Sequence, residues 1–480
     1  MRRKYKDIIK KSLAVVLAVT MLPLGDYSNV VMATEVNDTS VSSENKETDK
    51  NEYTDLEIKE DYNLKEDIEI GNLKQTSGTI NLNGHIMKIH GDYISTGGEL
   101  QIAGGSVYCS GQINLGRYSY IKMNDVNDYM FADSGISILS AYSENQITNG
   151  VIETKGELNI TSQVVSRSGY NKILLSGDGL QKVDIAQGIY VNILELDNHS
   201  NDGVDFIRPV NHVNIIRNDT KITIDGKEGI YGHTLTDDEL IEGDCILIED
   251  TMKLDGHSLT INGNLIQMGG TMDIGNGELT VNGDYRLQSV KYDGETETYG
   301  VSSGRLKMLD DAGIVNINGD FISQTSVKDE NILTAGVMRI TGDVSVNSTV
   351  SVNSFMPTEN HTIVLCGTDK QVVNFDRFYT GSSHIQNLEI LNASEAGVEF
   401  GEKTLVTGNV KDNGYFVKGY LVPSSNTTYT DDAYHGNWYI YSSLIISNEK
   451  NFHIYGDIYS KGVLNLQGKL TVEGKFETNK

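Results

Sequence analysis

Leu254–Gln288 reads LDGHSLTINGNLIQMGGTMDIGNGELTVNGDYRLQ, and its spacing decides the fold. Leu259, Ile261 and Leu265 share one parity, with Gly263 between the last two. Met272 and Ile274 follow a turn at Gly269-Gly270, and Leu279, Val281, Tyr285 and Leu287 follow Gly275 and Gly277. Strict alternation sends such side chains to one face of a strand. The glycines suit bends between short strands. With the many Asn, Asp and Thr residues they disfavour helix.

The stretch recurs. From Leu82 the chain reads LNGHIMKIHGDYISTGGELQIAGGSVYCSGQINL, which aligns without a gap. Met87, Ile89, Leu100, Ile102, Val107, Cys109, Ile113 and Leu115 take the inward places. A third copy, NFHIYGDIYSKGVLNLQGKLTVEGKF, loses a residue at two turns and puts Phe452, Ile454, Leu464, Leu466, Leu470 and Val472 inward. Deletions confined to turns are what stacked strands tolerate, because a slip inside a strand turns its core face outward.

Strand-turn units of this length predict rungs of three short strands, about twenty-one residues per coil. The expected fold is all-β: a right-handed parallel β-helix, or β-solenoid, of short strands with Gly-containing turns. The rival, a string of antiparallel sandwiches, calls for longer strands and sparser turns.

Around this unit the chain has 480 residues, 49 Gly, 4 Pro and 1 Trp. Residues 1–33 read as a secretory signal peptide. Arg2, Arg3, Lys4, Lys6, Lys10 and Lys11 precede an apolar run from Leu13 to Leu24, and Val31 and Ala33 offer a cleavage site. That run is too short to span a membrane, and no later segment is apolar enough. Residues 34–56 read as a disordered polar spacer. The net charge is −27, and removal of the leader leaves −31. Such a balance disfavours nucleic acid and anionic lipid as partners. Cys109, Cys245 and Cys366 are odd in number, and each stands where another copy has an ordinary residue, so they read as core or strand positions.

Longer repetition divides the rest into modules at 57–215, 216–402 and 403–480. Ile173, Leu175, Gly177, Gln181 and Val183 match Ile363, Leu365, Gly367, Gln371 and Val373. Leu194, Glu195 and Leu196 match Leu388, Glu389 and Ile390. The third module holds only the opening of the pattern with no capping sequence after it, as expected of a chain cut short.

At these residues the chain resembles a module of large secreted and surface proteins of clostridial-type Gram-positive bacteria. Its marks are LNGHxLxINGNLIQ-type strings, then L-x-G-x-x-KQ-x-V and N-x-LEI-x-N elements. Here they stand as the opening stretch, LCGTDKQVV and NLEILN. The resemblance implies an extracellular, adhesin-like β-solenoid scaffold.

Residues with chemical potential are few. His85 and His257 share a Gly-His turn, but the third copy has Lys450 there, which favours a turn hydrogen bond over catalysis or metal binding. Acidic pairs stand at Asp237-Asp238, Asp310-Asp311 and Asp431-Asp432, and Asn124, Asp125, Asn127 and Asp128 form a mixed cluster. None fits an EF-hand loop, and solvated loops are the expectation. Trp438 is a poor sugar platform alone, and Tyr93 and Tyr285 alternate as core. No zinc spacing, nucleophile elbow, P-loop or dinucleotide pattern is present. The sequence therefore assigns no catalytic, cofactor-binding or metal residue, and no cofactor. It predicts a non-catalytic cell-surface scaffold or adhesin-like stalk, with an unknown surface glycan or protein as partner and no membrane insertion after leader removal. The alternatives are a β-helical polysaccharide lyase or hydrolase, and a glycan- or cell-wall-binding module. An outward row of carboxylates and Arg would favour the enzyme; an outward row of Tyr would favour glycan binding.

Overall fold

Each strand of the opening stretch lies in register on its counterpart one rung away. Leu259 pairs with Leu279 and Ile261 with Val281, Met252 with Met272, and Leu265 with Tyr285, all in parallel ladders. The regular rungs repeat every 20 residues. The structure is a computed structural model that describes residues 53–480 apart from 141–145, 162–163, 187, 294–295, 329–330, 348–352, 380, 402, 415–416, 426, 430–431, 447–449 and 479–480. The expected leader and nearly all of the expected spacer lie outside the described residues. Among the described residues there is no helix, and the strands stack into a β-solenoid of about 19 turns.

The inward residues expected of the first two copies are buried without exception. In the third copy the stacking is as expected, Leu464 on Leu444 and Leu470 on Phe452. Its burial is not: Leu466 is exposed, and Leu464, Leu470 and Val472 are half-buried, because they lie on the last described rung with nothing stacked over them. The first strand, Leu56–Ile58, begins at the last residue of the expected spacer and pairs with Leu73–Gln75.

The longest sheet is parallel except at one step. Ile222–Ile224 and Lys227–Ile230 form an antiparallel hairpin whose turn, Asp225-Gly226, has φ of 49° and 72°. Asp-Gly with two positive φ values is the tight hairpin turn that matches strand twist. On either side of it, strands again pair in parallel. A coil whose strands reverse while rungs continue in one axial direction keeps its hand only if its core passes to the sheet's other face. It does. Ile222 and Ile246 face one core, whereas Cys245 and Leu247 face another. The first core runs from Ile58 to Ile224, and the second is continuous from Leu235 to Ile458.

Strands Cys245–Leu247 and Leu265–Gln267 are therefore buried on both faces. Their outward residues, Ile246 and Ile266, close the open end of the first coil, together with Val290 from the hairpin Ser289–Asp293/Thr296–Gly300. Two ion pairs fasten the joint, Lys227 to Glu297 at 3.4 Å and Arg217 to Asp250 at 3.7 Å, and His212, whose pKa burial lowers, lies 3.4 Å from Glu249.

Candidate functional site

The residues with chemical potential are mostly consumed by the fold. His85 Nδ1 lies 3.5 Å from Asp67, and His257 Nδ1 lies 3.7 Å from Asp238, one rung earlier in each case. The same carboxylates accept the backbone N–H of Ile86 and Ser258 at 2.8 Å. Both histidines are thus turn residues in equivalent settings. At the matching place Lys450 donates to the Tyr429 carbonyl at 2.7 Å. Asp128 is buried and accepts from Gly104 N at 2.6 Å and Asp125 N at 3.0 Å, so it closes its own loop and ties it to the turn one rung earlier. Asp310 accepts from Ala312 N, and Asp311 from the Asn360 amide; Asp431 lies outside the described residues. All three cysteines are free. Burial pushes the Cys109 thiol up to about 11 and raises Cys245 and Cys366 as well, away from thiolate reactivity. Among the described residues no group of three or more His, Cys, Asp or Glu is placed to hold a metal ion.

The two module elements resolve into one buried network, built twice. Gln371 accepts from Gly367 N at 2.8 Å and donates to the carbonyls of Ile340 and Gly342 at 3.0 and 2.8 Å. Asn392 donates to Gln371 and to the Asp369 carbonyl, and accepts from Ser394. In the first coil Gln181, Asn198 and Ser200 repeat every one of these roles. Buried amides of this kind need all their partners, and here they have them. A related pair, Tyr93 to Gln75 and Tyr285 to Gln267, bonds at 2.6 Å in each coil.

A third recurrent device escaped the sequence reading. Oδ1 of Asp244 accepts from Asn264 N, Asn264 from Asp284 N, Asp284 from Asp320 N and Asp320 from Asp343 N, each at 2.8–2.9 Å. The first coil has the same ladder through Asp55, Asn72 and Asp92. Apart from its first carboxylate, Asp55, and its last donor, Gln112, each rung named is a Gly-Asn or Gly-Asp pair in the sequence. The glycine is required because a Cβ on Gly283 would sit 2.4 Å from the Asn264 Oδ1 below. That dipeptide, recurring just ahead of each strand, was the available signal.

Two clefts and two ring stacks lie between Asp376 and Tyr459. A cleft of ≈400 Å³ opens between Thr427–Tyr429 and Leu444–Ile446 and is floored by Tyr429, Trp438 and Phe452. These three rings are at most 8% exposed, so the cleft meets little of their faces. A second cleft, ≈190 Å³, is lined by Phe378, Leu405, Val422 and Tyr441 with His384, Thr407 and Ser442. Beside it is an outward row of rings. Tyr439 and Tyr459 are register partners on neighbouring strands and stack at 5.4 Å and 13°. Tyr441 lies 6.4 Å from Tyr439 at 18°, and Phe378 meets both edge-on at 5.6 Å. A further stack, His435–Tyr455–His453, has centroid spacings of 4.3 and 4.2 Å. Each of its imidazoles already meets a carboxylate, Asp412 or Glu473.

No family model matches the sequence, and no curated protein or solved structure is detectably similar to it. No helix among the described residues is long and apolar enough to cross a membrane.

Proposed function

We propose that the chain is a non-catalytic, extracellular repeat scaffold, an adhesin-like stalk at the cell surface. One observation carries this reading: the polar residues that recur between copies are engaged in holding rung to rung. Among the described residues, the glutamine–asparagine network, the Asp/Asn ladder and the paired His turns each bond to a neighbouring rung. A solenoid presents its loops along a stacked series of rungs, which is the geometry of a spacer or of an extended binding surface. The leader and the acidic balance suit an exported protein. The test has two arms. Antibody to the full chain should label intact cells or the medium rather than only lysed cells, and purified chain should release no products from a panel of polysaccharides. Retention inside the cell would overturn the location, and product release would overturn the non-catalytic role.

A further inference from the structure

The outward ring row departs from the rest of the solenoid surface. In the opposite sheet of the second coil, outward positions such as Thr260, Thr280 and Asn316 are polar and stack on one another. On the sheet containing Thr404–Val406, Tyr420–Pro423, Asn437–Ile440 and Ile458–Ser460, the outward register instead runs Leu405 with Val422 and Tyr439 with Tyr459. Phe378 folds over this row from a distant loop, yet leaves Tyr441 47% exposed beside the ≈190 Å³ cleft.

A cation completes the feature. Lys403 Nζ lies 4.5 Å from the Tyr439 ring centre and 5.1 Å from that of Phe378. Among the described residues it forms no ion pair. In a chain of net charge −27 this is a local positive centre held on ring faces, where attraction fixes it without neutralising it. The first coil supplies the contrast. Lys155 stands over Phe131 at 6.0 Å near Tyr108, but it is paired with Asp133 at 3.2 Å, which cancels its charge.

We propose that the shelf formed by Lys403, Phe378 and Tyr441, laid over the buried Tyr439 ring, binds an anionic saccharide of the hexuronate type. The C–H face of the sugar ring lies against Tyr441, its edge enters the adjoining cleft, and its carboxylate meets Lys403. Tyrosine serves such contacts because it offers a rigid flat apolar face with a polar tip. At the cleft wall the Ser442 hydroxyl, and the Thr407 hydroxyl as an acceptor since it donates to Gln386 Oε1 at 2.7 Å, supply partners for sugar hydroxyls. The cleft is too small for a drug-sized ligand and suits a single ring. This site stands independently of where the chain resides, so its failure would leave the scaffold reading untouched.

The experiment is calorimetric titration of the full chain with oligogalacturonate, with neutral oligogalactan of equal length, with benzoate and with anionic phospholipid vesicles. Binding is expected for oligogalacturonate alone, weakening at least threefold when salt is raised from 50 to 200 mM, because an exposed charge pair is screened. Lys403→Met keeps the stem over the rings and removes the charge; it and Tyr441→Ala should each weaken binding tenfold or more. His257→Ala, far along the chain, should bind as the parent does, and circular dichroism should show all variants folded. Unchanged affinity in folded Lys403→Met and Tyr441→Ala, equal binding of the neutral oligomer, equal binding of benzoate or vesicles, or no binding of oligogalacturonate at millimolar concentration would each overturn the proposal.

Discussion

Asn392 donates its side-chain amide to Gln371 Oε1 at 2.9 Å in the interior of the second coil, and neither residue is exposed. Gln371→Leu would strand the Gly367 N–H, the Gly342 carbonyl and one N–H of the Asn392 amide together, while the Ile340 carbonyl keeps the Cys366 N–H. The expected loss is about 2–4 kcal/mol, since each orphaned buried group carries its own desolvation penalty. His257→Ala, a half-exposed turn residue, should change stability by no more than about 0.5 kcal/mol. Urea midpoints of the two variants, read with amide hydrogen exchange of the second coil, check the ranking. Equal effects would mean that the network is not what fixes these rungs.

Two glycines separate close approach from backbone preference. A Cβ on Gly319 would stand 2.5 Å from Asp284 Oδ1 and 2.6 Å from the Gly283 carbonyl carbon. Gly275 has open space around it but a φ of 53°. Gly275→Ala should therefore cost about 1–2 kcal/mol, the left-handed penalty alone. Gly319→Ala should cost more, about 3 kcal/mol, because the backbone of the Gly283-Asp284 rung must shift. Chemical denaturation of the pair gives the order directly.

The joint makes a regional prediction. Ile246→Asp places a charge in the first core from a strand belonging to the second coil. Amides of Asn211–Arg217 and Ile222–Ile224 should lose hydrogen-exchange protection by about tenfold or more, while Ser258–Ile261 stays protected. Leu240→Asp, at an exposed position of the second coil, should leave both regions as they are.

Acid sensitivity should centre on His361. It is fully buried, packs edge-on against Phe355 and, among the described residues, has no hydrogen-bond partner for either ring nitrogen. Burial lowers its pKa from 6.5 to about 3. The unfolded chain binds this proton from about pH 6.5 downward and the folded chain does not. Its contribution to stability is thus complete above that pH and declines as pH falls towards 3, by up to about 1.4 kcal/mol per unit. Urea midpoints between pH 7 and pH 4.5 should fall in the parent and fall less in His361→Phe. A variant as acid-sensitive as the parent would assign the effect elsewhere.

The rungs were legible because three local signals agree: alternation at Leu259 and Ile261, glycine at each bend, and copies that keep phase across deletions. Polar residues inside the core were not read, although parity already placed Gln181 on the side of Val183 and Gln371 on the side of Val373. The joint was also written in the sequence. Asp225-Gly226 is a hairpin signal, and the unbroken apolar run Cys245-Ile246-Leu247-Ile248 belongs to a strand covered on both faces. The aromatic shelf was beyond sequence reading, since Phe378 and Tyr439 meet only through the winding of intervening rungs.

The arrangement at the joint also orders events in time. Ile246, Ile266 and Val290, which close the first coil, are translated after every strand they cover. A growing or emerging chain that has passed Ile224 therefore holds a nearly complete first coil with an apolar end still wet. Resistance to protease should arise only once the hairpin ending at Gly300 has appeared, so the first half of the protein matures on a schedule set by the second.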